Sequence, residues 1–490
     1  MKHERLFSAF KRRRSTTAHP IARPGDNAWR TARADRFALL IDGAAYYEAL
    51  DRALDDAQEQ LWIVGWDFNP DIRLRPDDPD SPTLGHRLRT LVEEKPGLTV
   101  RILVWAMGPI YSGKSLKMFS GQGWNEHERI EICFDTRHAI RGSHHQKIVV
   151  IDDHIAFAGG IDLTAKRWDT PEHRPDDPRR TLPDGGLYGP VHDAQSVVEG
   201  AAAAAIGDIA RRRWLRASRK RVAHARPRPN AAHFITEPAF RNIDVSLART
   251  EPGLRGRKGR NEAMRLTLDA LSRGRRHIYI ENQYFASRKI ARLLCEKLED
   301  PNGPEIVIIT TRSSHGFLER VVLGANRDRL LRKLMASDRY GRLRTGFPVV
   351  PRADGTAEEV IVHSKIIVVD DLFLRVGSSN FNQRSEKLDS ELDLALEAHR
   401  PEDRAAILAL RTRLFAEHLG ASEEVLSAIL SGNGSLTAAF DQLNVGPRGL
   451  RPFEDARKDG PTDLVPGTDL VDPREPWWPL PRLFRLFARG

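Results

Sequence analysis

The residues best suited to chemistry occur in one pattern, met twice. His145-Gln146-Lys147 is followed by Asp152, and His363-Ser364-Lys365 by Asp370, so both read H-x-K-x4-D. An imidazole and an ammonium two residues apart on an extended chain point the same way. The first can attack or move a proton, and the second attracts an anion. A small-residue turn follows each copy at the same offset, Gly159-Gly160-Ile161-Asp162 and Gly377-Ser378-Ser379-Asn380. Gathered round one cleft, His145, Lys147, His363 and Lys365 suit cleavage of a phosphodiester. Charge building on the phosphoryl oxygens would meet two ammonium groups and the Asn380 amide, with no metal ion called for. One neutral imidazole can attack phosphorus to give a phosphohistidine. The other, protonated, can supply a proton to the departing alcohol and later take one from the acceptor.

Two like residues in opposite protonation states need different surroundings. Glu391, in Asp389-Ser390-Glu391, and Asp193, in His192-Asp193, are the candidate carboxylates for the second ring nitrogens. Asp152 and Asp370 close their strands and are expected to hold strand ends rather than take part in the reaction. His144 beside His145 makes no metal pair, since neighbours on a strand diverge. Neither a metal site nor a cofactor is expected. Gly253 to Gly259 lacks the preceding strand that a phosphate loop requires and reads as a mobile basic loop.

The elements that must position these residues repeat as well. Ile148 to Ile151 and Ile366 to Val369 are unbroken aliphatic runs, the pattern of a strand covered on both faces. Strands are also predicted at Leu61–Trp66 and Val100–Trp105 in the first half, and at His277–Asn282 and Ile306–Thr310 in the second. Helical patterns precede each half's first strand, at 44–57 and at Asn261–Leu271. A long helix, Ala201–Arg221, runs into Arg226-Pro227-Arg228-Pro229, which cannot continue it. The expected fold is therefore α/β: two similar lobes, each a mixed, mostly parallel sheet flanked by helices, packed about a pseudo-twofold axis. Residues 1–26 read as a basic tail, 27–229 and 230–430 as the lobes, and 431–490 as a flexible tail beyond a helix at Pro401–Leu419. That tail ends in an aromatic and basic segment, Trp477 to Arg489, which could lie in a lipid interface or fold back on the lobes.

At 490 residues and 40% hydrophobic content the chain can bury two cores. Two cysteines, Cys133 on a predicted strand and Cys295 on a predicted helix, exclude a disulfide framework and suit a reducing cytoplasm. No apolar run reaches the roughly 20 residues that span a bilayer, and none of signal-peptide length opens the sequence. A soluble or surface-bound protein is expected. The net charge of +10 favours a polyanionic partner, either an anionic lipid surface or nucleic acid. Basic residues cluster at Lys11–Arg14, Arg211–Arg228 and Arg255–Arg260.

The doubled motif resembles the phospholipase D superfamily, and the resemblance covers most of residues 27–420. Ile278 to Phe285 is similar to the segment before the second motif in eukaryotic-type members. His192-Asp193, with Glu199-Gly200 after it, is similar to their tryptophan-His-Asp segment, although Val191 stands where tryptophan is usual. Asn380, Arg384, Ser385, Asp389 and Glu391 match the patterns after the second motif. Asp162 departs from the amide that the second copy carries. The layout, without lipid-targeting modules, looks bacterial. The resemblance implies hydrolysis of the distal phosphodiester of phospholipids through phosphohistidine, with His145 as nucleophile, His363 as acid, and no metal. It also implies a phospholipid partner; with the net charge, an anionic membrane surface, the inner membrane, is expected, and a monomer. Phosphatidyl transfer of the cardiolipin synthase kind stays open on the same residues. A nuclease is disfavoured, because nucleases of the superfamily often carry one motif and dimerise. An idle scaffold is disfavoured because every group the chemistry needs is present.

Overall fold

The computed structural model describes residues 20–473 apart from 109–122, 229–231, 254–257 and 314–316. One strand order is used twice. In the first half Gln60–Gly65, Thr99–Trp105 and Ile130–Asp135 pair in parallel. From Gln60–Gly65 the sheet continues antiparallel through Ile148–Ile151, Ile155–Gly159, Ala194–Glu199 and Arg30–Ile41. The second half repeats this, with His277–Asn282, Glu305–Ile309 and Leu343–Pro351 parallel. Lys365–Val369, Phe373–Gly377, Glu391–Glu397 and Phe240–Glu251 then follow antiparallel. The last strands of the two series, Arg30–Ile41 and Phe240–Glu251, pair antiparallel with each other, Phe37 opposite Phe240 with ring centroids 5.7 Å apart. Equivalent strands paired antiparallel are related by a twofold rotation, so the halves share one mixed sheet flanked by helices.

Antiparallel pairings outnumber parallel ones, which corrects the expectation of mostly parallel sheets. Each motif strand turns straight back at an aspartate pair in the left-handed region, Asp152 and Asp153 (φ 51° and 55°) or Asp370 and Asp371 (φ 56° and 55°). A turn this short joins only antiparallel neighbours, whereas parallel neighbours need crossovers such as the helices Leu84–Glu94 and Arg288–Glu299.

The aliphatic runs are buried on both faces. Ile148, Val150, Ile366 and Val368 enter a central core shared by the halves, together with the helices Ala201–Ser218 and Pro401–Leu419. Val149 and Ile151 face the outer core of the first half, and Ile367 and Val369 that of the second. Each such side chain contributes about 1.5–3 kcal/mol on burial, which fixes the register of the residues that precede it.

Both tail expectations need correction over the described residues. Ile21 and Ala22 pack in the second half's core, and their backbone amides donate to the Glu397 carboxylate at 2.8 and 2.7 Å. Beyond residue 431 the chain forms the helix Leu436–Leu443 and a strand, Gly449–Arg451, paired with Leu343–Pro351. Leu436, Ala439, Leu450, Phe453 and Leu464 are buried, so enough apolar side chains are spaced among the Ser, Gly and Pro to anchor the segment. Lys11–Arg14 and Trp477–Arg489 lie outside the described residues. Among the described residues no helix is long and apolar enough to cross a membrane.

Candidate active site

Two short parallel pairings bring the site together. Val191 and His192 pair with Ile361 and Val362, so the next residues, Asp193 and His363, fall side by side. The His363 amide donates to the His192 carbonyl at 2.7 Å, and His363 Nδ1 lies 2.6 Å from Asp193 Oδ2. In the same way His144 bridges Ser390 in parallel, which sets His145 beside Glu391. The His145 amide donates to the Ser390 carbonyl at 2.9 Å, and its Nδ1 lies 2.9 Å from Glu391 Oε2. Each half therefore supplies the carboxylate for the other half's histidine.

The two imidazoles are held differently. His145 Nδ1 is also 3.0 Å from the Ser378 carbonyl oxygen. A carbonyl only accepts, so Nδ1 carries the hydrogen and the neutral ring keeps its lone pair on Nε2. Both rings have a carboxylate at Nδ1, but His363 Nδ1 meets Asp193 with no carbonyl beside it, the setting that favours an imidazolium. Among the described residues neither Nε2 has a hydrogen-bond partner, which leaves both free to meet a substrate. Glu391 also accepts from the Ser378 and Ser385 hydroxyls at 2.5 and 2.6 Å, and burial, reinforced by the Asp389 charge, pushes it up to about 8.

Charge ties the four motif residues into one site. Burial, then Lys147 and Lys365, holds His145 well below the ordinary histidine value, and burial, then Lys365, Arg167 and Lys147, does the same to His363. An anion bound among these cations raises both imidazoles again. The lysines themselves differ. Lys147 Nζ is paired with Asp162 Oδ2 at 3.0 Å and bonds the His145 carbonyl at 2.9 Å. Lys365 has no ion-pair partner among the described residues; it bonds Gln283 Oε1 at 3.2 Å and the His363 carbonyl, and burial pulls it down to about 7. The Asp-for-Asn departure at position 162 thus gives one lysine a counter-ion and leaves the other without one among the described residues.

Asn380 is buried beside the second motif, its backbone N–H donating to Ser385 Oγ at 3.1 Å while its side-chain Oδ1 has no partner. Asp152 and Asp370 stand apart from this cluster. Asp152 accepts from the amides of Gln58, Glu59 and Gln60 at 2.7–2.9 Å, and Asp370 from those of Arg275, Arg276 and His277 over the same range. Each lies five strand steps past its lysine, about 16 Å, so both clamp strand ends and neither belongs among the reacting groups. His144 points away from His145, to Asp135 at 3.0 Å and Ser390 Oγ at 3.0 Å. A methyl group built on Gly160 would collide with Asp193 Oδ1, which gives that glycine a steric reason.

Three contributors were not read from the sequence. Gln283 stands one residue past a predicted strand, and Ser378 lies in the small-residue turn, so both were within reach of a closer reading. Arg167 follows Asp162 outside any repeated pattern, and nothing in the sequence marks it.

Residues 53–249 match the family model described as phospholipase D, and residues 267–409 the one described as cardiolipin synthase, PLD-like domain. Phospholipase D zeta 1 of Arabidopsis thaliana is 31% identical over 165 residues, 31% of this chain and 14% of the relative. Phospholipase D gamma 3 of the same plant is 24% identical over 550 aligned residues, 78% of this chain and 63% of the relative. The chain thus spans less than two thirds of the length of these curated relatives. The crystal structure of phosphatidylserine synthase from Haemophilus influenzae Rd KW20 is similar in fold, with a TM-score of 0.53 and 13% identity over 84% of this chain and 96% of that one.

Proposed function

We infer, for a chain that belongs to the phospholipase D superfamily, that this enzyme hydrolyses the distal phosphodiester of glycerophospholipids to phosphatidic acid and a free head-group alcohol. The observation that carries this reading is the unequal setting of the two histidines: His145 Nδ1 is shared between the Ser378 carbonyl and Glu391, whereas His363 Nδ1 meets the Asp193 carboxylate at 2.6 Å with no carbonyl beside it. His145 Nε2 attacks phosphorus. Lys147, Lys365 and the Asn380 amide receive the charge on the non-bridging oxygens, and the P–O bond to the head group breaks as His363 hands its proton to the departing oxygen. Water then gives a proton back to His363 and attacks the phosphohistidine, which restores His145. The substrate is proposed to be met at an anionic membrane surface on the cytoplasmic side, by a chain of net charge +10.

The match of residues 267–409 to a cardiolipin synthase domain favours a second reading, in which a lipid alcohol replaces water as acceptor. One experiment separates the readings. The pure protein is incubated with phosphatidylcholine, phosphatidylglycerol and plasmid DNA, with and without a primary alcohol. Phosphatidic acid, and a phosphatidyl alcohol when alcohol is present, is the expected outcome. Cardiolipin from phosphatidylglycerol alone would assign the transferase, and nicked DNA without lipid turnover would overturn both.

A further inference from the structure

Behind the catalytic histidines, away from the groups that touch substrate, a second cluster of ligating side chains is buried between the halves. Asp42, His173 and His192 come from the first half and Glu417 from the helix Pro401–Leu419 of the second. One ligand atom from each lies within 4.8 Å of all the others. The neighbouring pairs are closer: His192 Nδ1 to Glu417 Oε1 2.7 Å, His173 Nε2 to the same oxygen 3.1 Å, His192 Nδ1 to Asp42 Oδ1 3.2 Å, and His173 Nε2 to Asp42 Oδ2 3.7 Å. Four ligands at the usual zinc bond lengths on a tetrahedron stand about 3.3 Å apart. We propose that Asp42, His173, His192 and Glu417 bind one divalent transition-metal ion of the zinc class.

Two further observations point the same way. Asp42 is fully buried, yet its Oδ2 has no hydrogen-bond partner, although it is turned toward His173. Its backbone is held in the left-handed region at φ 66°, an uncommon state for a residue other than glycine. The outer ring nitrogens are also placed as a metal site requires. His173 Nδ1 lies 2.9 Å from Asp169 Oδ2 and His192 Nε2 lies 2.9 Å from Glu281 Oε2, so each neutral imidazole can donate outward while its other nitrogen offers a lone pair inward. Asp169 is in turn neutralised by Arg180 at 2.9 Å. Without an ion, all four ring nitrogens face carboxylates. Each ring would then have to be protonated or meet a protonated carboxyl, and one Glu417 oxygen would serve both. Two protons and one divalent cation bring the same charge, and only the cation also occupies the open oxygen of Asp42.

The bound ion ties the halves together at the segment that carries Asp193, since the His192 carbonyl accepts the His363 amide. Its role is structural; it touches neither reacting nitrogen.

The test is made on the full chain, produced in zinc-supplemented medium and passed through a desalting column. Elemental analysis is expected to find about one zinc per chain, and Asp42→Ala and His173→Ala are expected to hold less than about a fifth of that. Where the variants do not fold, wild-type protein alone decides: unfolded and refolded with zinc ion, its thermal midpoint should exceed that of protein refolded with a chelator by about 2–5 °C. A folded wild-type chain free of stoichiometric metal, with the same midpoint after either refolding, overturns the site and leaves a network of protonated imidazoles.

Discussion

Replacing Asp193 by asparagine separates the charge of that side chain from its shape. Asp193 is almost fully buried, with Oδ2 2.6 Å from His363 Nδ1 and Oδ1 accepting from the Ala194 amide at 2.8 Å. An amide fills the same space but cannot stabilise an imidazolium. A hydrogen bond between charged partners is worth about 1.5–3 kcal/mol, which converts to a loss in kcat of about 10-fold to 150-fold. An amide N–H turned toward the ring would select the wrong tautomer and extend the loss toward about 10^4. The fold should survive, because burial pushes the Asp193 carboxyl above its ordinary range, so a neutral group there costs little. Steady-state rates on a phospholipid with an aliphatic head-group alcohol measure the loss, and a p-nitrophenyl phosphodiester supplies the control. That leaving group needs no proton, so the deficit should shrink to a few-fold. Wild-type kcat on the aliphatic substrate, or an equal loss on both substrates, would refute the assignment of His363 as the acid held by Asp193.

His145→Ala and His363→Ala should each lower kcat by about 10^3 or more with unfolding curves unchanged; near wild-type turnover in a pure sample of either would end the two-histidine mechanism. Gly160→Ala drives a methyl against Asp193 and should cost about 10^2 in kcat by misplacing it, with near-ultraviolet circular dichroism reporting whether the fold is kept. Glu391 is raised to about 8 in the folded chain, so the folded state holds a proton that the unfolded chain releases, and stability falls as pH rises from about 5 to 8. Thermal scans of Glu391→Gln should be flatter over that window than those of wild type; parallel curves would count against a protonated Glu391. Asp162→Asn leaves the buried Lys147 ammonium without its 3.0 Å partner and should cost about 3 kcal/mol in denaturant unfolding. An unchanged midpoint would mean that Lys147 finds another partner.

The sequence made the site more legible than its frame. The motif strands could be read because four aliphatic residues in a row admit little but a strand covered on both faces, and the structure places them so. The strands that join the halves could not. Arg30–Ile41 carries Arg30, Arg33, Asp35 and Arg36 on both of its faces, so its alternation is blurred where the chain pairs with Phe240–Glu251. The segment past residue 431 was hidden by its composition, since Leu436, Leu450, Phe453 and Leu464 are too sparse to show a period, although each finds a place in a core. Glu391 and Asp193 stood out as candidates by residue type. Which histidine each serves could not be inferred, because the partners are 246 and 170 residues apart in sequence and are aligned by an isolated bridge and a two-residue pairing between opposite halves.

The crossed pairing has a consequence for what a single half could be. Cut from its partner, a half would keep its histidine and lysine but lose the carboxylate that orients the ring, and it would offer its own carboxylate to nothing. Two identical halves joined as a homodimer would complete both pairs, yet symmetry would then force one environment on both imidazoles. Covalent union of unlike copies removes that constraint. A glutamate can reach one ring while a shorter aspartate reaches the other, and Asp162 can pair with one lysine while its counterpart Asn380 gives the second no counter-ion. In the proposed mechanism, the division of labour between donor and acceptor of the proton would rest on this broken symmetry.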